Sequence, residues 1–241
     1  MIKKLLPANL KRWIRLQQRK RNDRSKGFDR LFALTKRPAT KDFDTQFQIH
    51  QPIFFNPLSA NKVDNIDLAI KMVHNIPIES GQIFSFWEII GKPSEKNGFK
   101  SGRNIIRDKL QEDIGGGLCQ VAGMIYHLAL VSGMEIIERH NHSLDLYEED
   151  KRYTPLGADA SVVYGYKDIR FKNNHPYPIY LYFEVDQENF TGQVLADSQM
   201  NEHLIEFHRD EFQGYRTIKT YRYQEGQKKA FINESKYLLP N

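Results

Sequence analysis

Cysteine is nearly absent from this chain. Cys119 is the only one in 241 residues, which excludes an intrachain disulfide and leaves nothing pointing to an oxidising compartment. Long apolar runs are missing as well, and no stretch approaches the length needed to cross a bilayer as a helix. The N-terminus carries charge without the apolar segment of a secretory signal, so the sequence reads as cytoplasmic. It contains neither CxxC nor HExxH, no internal repeat, no low-complexity segment and no convincing interdomain linker. What remains has the composition of an ordinary globular protein. Hydrophobic residues make up 40% and aromatics 12%, which argues against wholesale disorder, and the length suits one core with an appendage.

Charge divides the chain. Residues 1–37 hold thirteen Lys and Arg against Asp23 and Asp29, so the net +5 is an arm of +11 on a remainder of −6. Residues 1–40 are therefore expected to be a basic arm and residues 41–241 the folded domain. Within the arm, Leu6, Leu10, Trp13 and Ile14 fall on one side of a helix begun near Pro7. Such a helix packs on the core, lies on an anionic membrane surface, or contacts nucleic-acid phosphates. No nucleic-acid motif follows, so a nucleic-acid partner is not expected. Oligomeric state is not legible.

In the domain, residues 43–58 alternate loosely as a strand and turn, and a helix follows from Lys62, with Val63, Ile66, Ala69, Ile70 and Val73 inward. Ile83 to Trp87 reads as a short aromatic strand, and Gly91 to Asn104 as a polar loop facing substrate. Strand patterns recur at 134–139, 166–171, 179–185, 190–195, 203–208 and 217–223, while 148–153 is loop-like. These elements predict a single α+β domain of two main helices packed on a largely antiparallel β-sheet, with the basic helical arm attached.

The chemistry is expected between Gly115 and Ser143. Gly115, Gly116 and Gly117 allow the backbone to bend and approach a ligand closely. Leu118, Ala122, Ile125 and Ala129 then recur at helical spacing up to Gly133, placing Cys119 in the first turn. There the helix dipole and unpaired N–H groups lower a thiol's pKa and can hold an oxyanion. Strand alternation would point His140 and His142 the same way, offering a base. Three readings stay open: a thiol nucleophile with a histidine base, a buried structural cysteine, and a zinc site of His140 and His142 with Cys119 or Asp145. A fourth is a non-catalytic binding module, with the aromatic residues Phe84 to Trp87 and the Tyr-rich C-terminal region as its surface. No cofactor is called for.

Several ordered motifs resemble the VanW family: Gly115-Gly116-Gly117-Leu118-Cys119-Gln120, Glu138-Arg139-His140-Asn141-His142-Ser143, Pro155 to Val162, and Asp168 to Asn173. Asn65 to Ala69 and Ser80 to Phe86 resemble its pattern too, so the likeness spans roughly residues 45 to 185. The resemblance implies cell-envelope and peptidoglycan metabolism and a link to vancomycin resistance. It also implies cysteine-dependent, L,D-transpeptidase-like acyl transfer or amidohydrolysis on a peptidoglycan peptide or precursor. Carried over motif by motif, Cys119 is the nucleophile, His142 or His140 the base, and Asp159 the residue that orients it. Gly116, Gly117, Gln120, Arg139 and Ser143 complete the expected substrate and oxyanion set. Absence of a signal would place the protein in the cytoplasm, or peripherally at the inner membrane face.

Overall fold

The computed structural model describes residues 6–38, 43–54, 59–106, 109–145 and 152–239. The core forms where two helices of different polarity meet. Helix α2 (Ser59–Val73) is amphipathic and buries Ile66, Ala69, Ile70 and Val73. Helix α4 (Leu118–Val131) is apolar on nearly every side, from Leu118 to Leu130, and so must lie inside. Both pack against the three-stranded antiparallel sheet β1 (Asp44–Pro52), β8 (Asn189–Ala196), β7 (Ile179–Val185). Alternation along β7 and β8 puts Ile179, Leu181, Phe183, Phe190 and Val194 into this core, each contributing about 1.5–3 kcal/mol by burial.

The remaining strands make smaller antiparallel sheets. One has the order β2 (Ile83–Ser85), β6 (Arg170–Lys172), β5 (Glu135–Glu138). Another has β11 (Ala230–Leu238), β10 (Tyr215–Tyr223), β9 (Leu204–Phe212). A hairpin of β3 (Ser101–Ile106) and β4 (Lys109–Ile114) leads into the glycines. The protein is thus a single α+β domain whose antiparallel strands are shared among several sheets.

The local differences from the sequence patterns have physical causes. Ile83 to Ser85 is a strand, but Phe86 to Ile90 turns into one short helix, α3, because Trp87 N–H finds the Asp168 carboxylate (3.2 Å) instead of a strand partner. Residues 166–169 are likewise outside regular strand: Lys167 makes one isolated bridge to Val163, and strand pairing is confined to 170–172. The strand at 43–58 is β1 as far as Pro52; residues 55–58 of that pattern, like 148–151 of the charged loop, lie outside the described residues.

The N-terminal helix α1 (Ala8–Ser25) docks by charge rather than by apolar contact. Leu10 and Trp13 are 41% and 56% exposed, whereas Arg12, Leu16, Arg19 and Asp23, at helical spacing, face the domain. Asp23 is buried and pairs with Arg170 (2.7 Å), and Arg19 makes a bidentate bond to Glu138 (2.9 and 2.7 Å). Arg170 in turn bonds Asp168 (2.8 Å), which accepts from Ser85 Oγ (2.7 Å). Removing one partner of a buried pair leaves its charge uncompensated. Asp23→Ala is therefore expected to lower unfolding stability by about 3 kcal/mol, while Arg21→Ala on the exposed side changes it by less than about 0.5 kcal/mol. Denaturant midpoints compare the two, and equal effects would mean that α1 is not held by the buried pair.

Candidate functional site

The turn before α4 is built from glycine and held by one asparagine. Gly117 caps the helix at φ 101°, and a Cβ there would lie 3.1 Å from the Lys62 carbonyl of α2, so no other residue fits. Buried Asn65 of α2 donates to Gly116 O (2.9 Å) and Lys100 O (3.0 Å) and accepts from Lys100 N–H (2.7 Å). Three of the first N–H groups are used inside the turn, Leu118 to Gly115 and Gln120 and Val121 to Gly117. Among the described residues, no hydrogen bond uses the Cys119 N–H. That group sits at the positive end of the helix beside the thiol, where an oxyanion formed by attack on a carbonyl would develop.

Cys119 is half-buried and lies 3.8 Å from Val162 O. The His142 imidazole lies within electrostatic reach of its thiol. The other side of that imidazole is fixed: His142 Nδ1 lies 2.7 Å from Asp159 Oδ2, and His142 N–H donates to the same oxygen (2.9 Å). Nδ1 therefore carries the proton toward Asp159, leaving Nε2 for the thiol. Asp159 is buried and its Oδ1 accepts from Arg139 Nη2 (2.9 Å) and the Tyr237 hydroxyl. Arg139 also donates to Asp159 O (2.8 Å), Gly157 O (3.1 Å) and Ser235 Oγ, and lies over the Tyr126 ring at 4.9 Å.

The electrostatics follow from these contacts. Burial disfavours the charged form of each group, yet the partners outweigh it. Burial pushes the Cys119 thiol up, but the hydrogen bond and charge of His142 bring it below its ordinary value. Burial pushes His142 down, but its bonds to Asp159 and Cys119 raise it to about 10. Asp159 is driven up by burial and, more strongly, down by Arg139 and His142, well below the usual carboxylate range. The arrangement favours a thiolate–imidazolium pair anchored on a permanent carboxylate.

His140 takes a different path. Its Nε2 meets Glu138 Oε1 at 3.0 Å, in the network that holds Arg19. Strand β5 ends at Glu138, so alternation no longer governs residues 139–142, and the two histidines do not point the same way. Of the other residues named from the sequence, Gly116 and Gly117 form the turn and Arg139 clamps Asp159. The Gln120 side chain donates away from the thiol to Pro52 O (3.1 Å), and its N–H is held by Gly117 O (2.9 Å). Ser143 is exposed, and its carbonyl accepts from Leu238 N–H (2.8 Å). Tyr237 and Arg12 carry no motif that a sequence could show; they reach the site through folding alone.

The thiol opens on a cavity of about 510 Å³. It is lined by Arg12, Trp87, Lys92 to Glu95, Asp113 to Gly115, Leu118, Cys119 and Ser161 to Tyr164. The polar stretch after Gly91 thus contributes to the cavity, although its later part is strand β3. Among the described residues no group of three or more His, Cys, Asp or Glu is placed to hold a metal, and Asp145 pairs with Arg152 and Arg216. Phe84 and Phe86 are fully buried and Trp87 nearly so, so this half of the surface expected of a binding module is not exposed, whereas Phe212, Tyr215 and Phe231 in the C-terminal region are.

The profile of the family described as VanW like protein matches residues 61–195, more than half of the chain. The vancomycin B-type resistance protein VanW of Enterococcus faecalis (strain ATCC 700802 / V583) is 30% identical over 139 residues, 58% of this chain and 50% of that protein. The uncharacterized protein YoaR of Bacillus subtilis (strain 168) is 32% identical over 126 residues, 52% of this chain and 40% of that protein. The chain thus spans half or less of the length of these curated relatives. No solved structure matches it significantly.

With Asp159→Asn the carboxylate that holds His142 protonated is lost, and burial then works against the imidazolium. Proton NMR of the His142 ring is expected to titrate near pH 10 in the wild type and to move down toward the ordinary 6.5 in the variant. An unmoved titration would show that Asp159 does not set the charge of His142.

Proposed function

Since the chain belongs to the VanW-like family, one linked to vancomycin resistance through its Enterococcus relative, we propose that it is a cysteine-dependent acyl transferase or amidohydrolase acting on peptidoglycan-type peptides. The observation that carries this reading is the continuous chain Cys119–His142–Asp159, with its thiol end open to a cavity. In the first step the Cys119 thiolate attacks a peptide carbonyl carbon. The oxyanion is held by the Cys119 N–H, and the imidazolium of His142 gives its Nε2 proton to the departing amine. The C–N bond breaks and a thioester remains on Sγ. In the second step an amine or water attacks the thioester, His142 takes the proton, and Sγ leaves as thiolate. An amine acceptor makes the reaction a transfer; water makes it a hydrolysis. Arg139 and Tyr237 do not touch substrate in this scheme and act as positioning residues for Asp159.

The exposed side of α1 supports a peripheral contact with an anionic membrane surface. Leu10 and Trp13 are exposed there, and Lys20, Arg21 and Arg24 continue the same stripe in solvent. No helix among the described residues is long and apolar enough to cross a membrane.

Alkylation of Cys119 by iodoacetamide tests the thiol chemistry, since no second cysteine competes. In the wild type the rate is expected to reach half its maximum well below pH 8.5. In His142→Ala burial is opposed only by the Val162 carbonyl contact and the Lys167 charge, so the midpoint should rise; His140→Ala should leave it in place. Peptidoglycan-derived peptides are expected to leave an acyl mass on the wild type that Cys119→Ala lacks. A wild-type profile indifferent to His142, with no adduct, would discard the enzyme. For the membrane contact, Trp13 fluorescence should shift with anionic vesicles and not with zwitterionic ones, and Arg21→Glu should weaken binding about fivefold or more. Equal binding to both vesicle types would discard it.

A further inference from the structure

We propose that Arg12 is a carboxylate receptor, so that the substrate carries a negative carboxylate beside the carbonyl attacked by Cys119. The substrate class rests on the thiol chemistry above; the receptor itself does not. Arg12 stands on helix α1 but belongs to the wall of the cavity, with Val162 to Tyr164. It is positioned by the backbone: a Cβ on Gly165 would lie 3.2 Å from Arg12 Cγ, so that loop is pressed against the arginine stem. The neighbouring cations of the inward stripe are committed, Arg19 to Glu138 and, across the interface, Arg170 to Asp23 and Asp168. Arg12 makes no ion pair with any described residue. A half-buried guanidinium that faces a cavity unpaired presents a fork of donors matched to a carboxylate. Lys92, Glu95 and Asp113 line the same cavity, so it holds charges of both signs, and the fork of paired N–H donors suited to a carboxylate is that of Arg12. Val162, whose carbonyl lies 3.8 Å from the Cys119 thiol, lines this cavity with Arg12, so one ligand in it can present a carboxylate to Arg12 and a carbonyl to the thiol.

Because Cys119 is the only thiol, the anion preference of its surroundings can be read without a substrate. The ratio of alkylation rates for iodoacetate and iodoacetamide, measured on the full chain, reports the local field and the receptor together. Arg12→Gln keeps the stem and is expected to lower this ratio about five- to tenfold with the iodoacetamide rate within about twofold of wild type. Arg12→Lys should retain most of it, and Glu95→Gln should raise it. Arg21→Ala removes a charge from the outer face of the same helix and should leave the ratio unchanged. A ratio indifferent to Arg12, or an equal fall in Arg21→Ala, overturns the assignment. A slow, ordinary iodoacetamide reaction in the wild type would instead sink the thiol chemistry while leaving the ratio to judge Arg12.

Discussion

A carboxylate taken out of water has to be surrounded by donors, and the site depends on how Asp159 meets that requirement. Its two oxygens receive the His142 backbone and ring, Arg139 and Tyr237. An unpaired buried charge costs several kcal/mol, so none of these donors is dispensable. They come from separated parts of the chain. Arg139 and His142 follow β5, and Tyr237 lies on the last described strand. The C-terminal three-stranded sheet is therefore part of the site's foundation: Ser235 and Tyr237, both buried on β11, complete the shell around Arg139 and Asp159. Helix α4 packs against the backbone that carries this carboxylate. Its Gly123 runs so close to the chain at 158–160 that a Cβ would touch Ala160 N at 3.4 Å.

A second polar assembly lies beside the first and shares its backbone. Glu138 and His140 turn toward Arg19 and Arg170, while Arg139 between them turns toward Asp159. Five consecutive residues thus join the attachment of α1 to the orientation of the base. Burial would raise the Glu138 carboxyl, yet His140 and Arg19 hold it well below its ordinary value, so it stays charged and keeps α1 in place. Asp168 moves the other way: burial dominates and its pKa rises despite Arg170. One helix is thereby fastened by ion pairs and contributes Arg12 to the cavity wall.

Apolar periodicity made much of the fold legible. Ile66, Ala69, Ile70 and Val73 marked α2; Leu118 to Ala129 marked α4; Ile179 to Val185 and Phe190 to Leu195 alternated as β7 and β8 do. Where packing is polar, that signal fails. Strand β11 turns Ser235 and Asn233 inward because they bond Arg139 and Tyr126, so its sequence does not alternate in hydrophobicity. The β3–β4 hairpin is polar through Lys109 to Asp113. The inward stripe of α1 is Arg12, Leu16, Arg19 and Asp23, and its apolar residues Leu10 and Trp13 face out, the reverse of the usual amphipathic rule. In the site, the glycines, the thiol at a helix start and a histidine were legible from local spacing and motif. The distinction between His140 and His142 was not, because it depends on where β5 stops pairing.

The charges at the site alternate along one line: Arg139, Asp159, His142, Cys119. A buried row of alternating signs has no net charge, and each member lowers the desolvation cost of its neighbours. Buried ion pairs also serve purely structural arrays, and the other assembly, which joins Arg19 and Arg170 to Glu138, Asp168 and Asp23, is one. What separates the two is how each ends. The structural row closes on groups that are saturated and buried, with Asp23 and Arg170 paired bidentately. The row through Asp159 closes on a sulfur that faces a cavity beside its own uncommitted N–H. A row meant only for stability has no reason to finish on a polarisable nucleophile with its negative charge favoured and space in front of it. Ending there, it has what the proposed acyl transfer would need: charge held on an attacking group at little cost, and a proton for the leaving group.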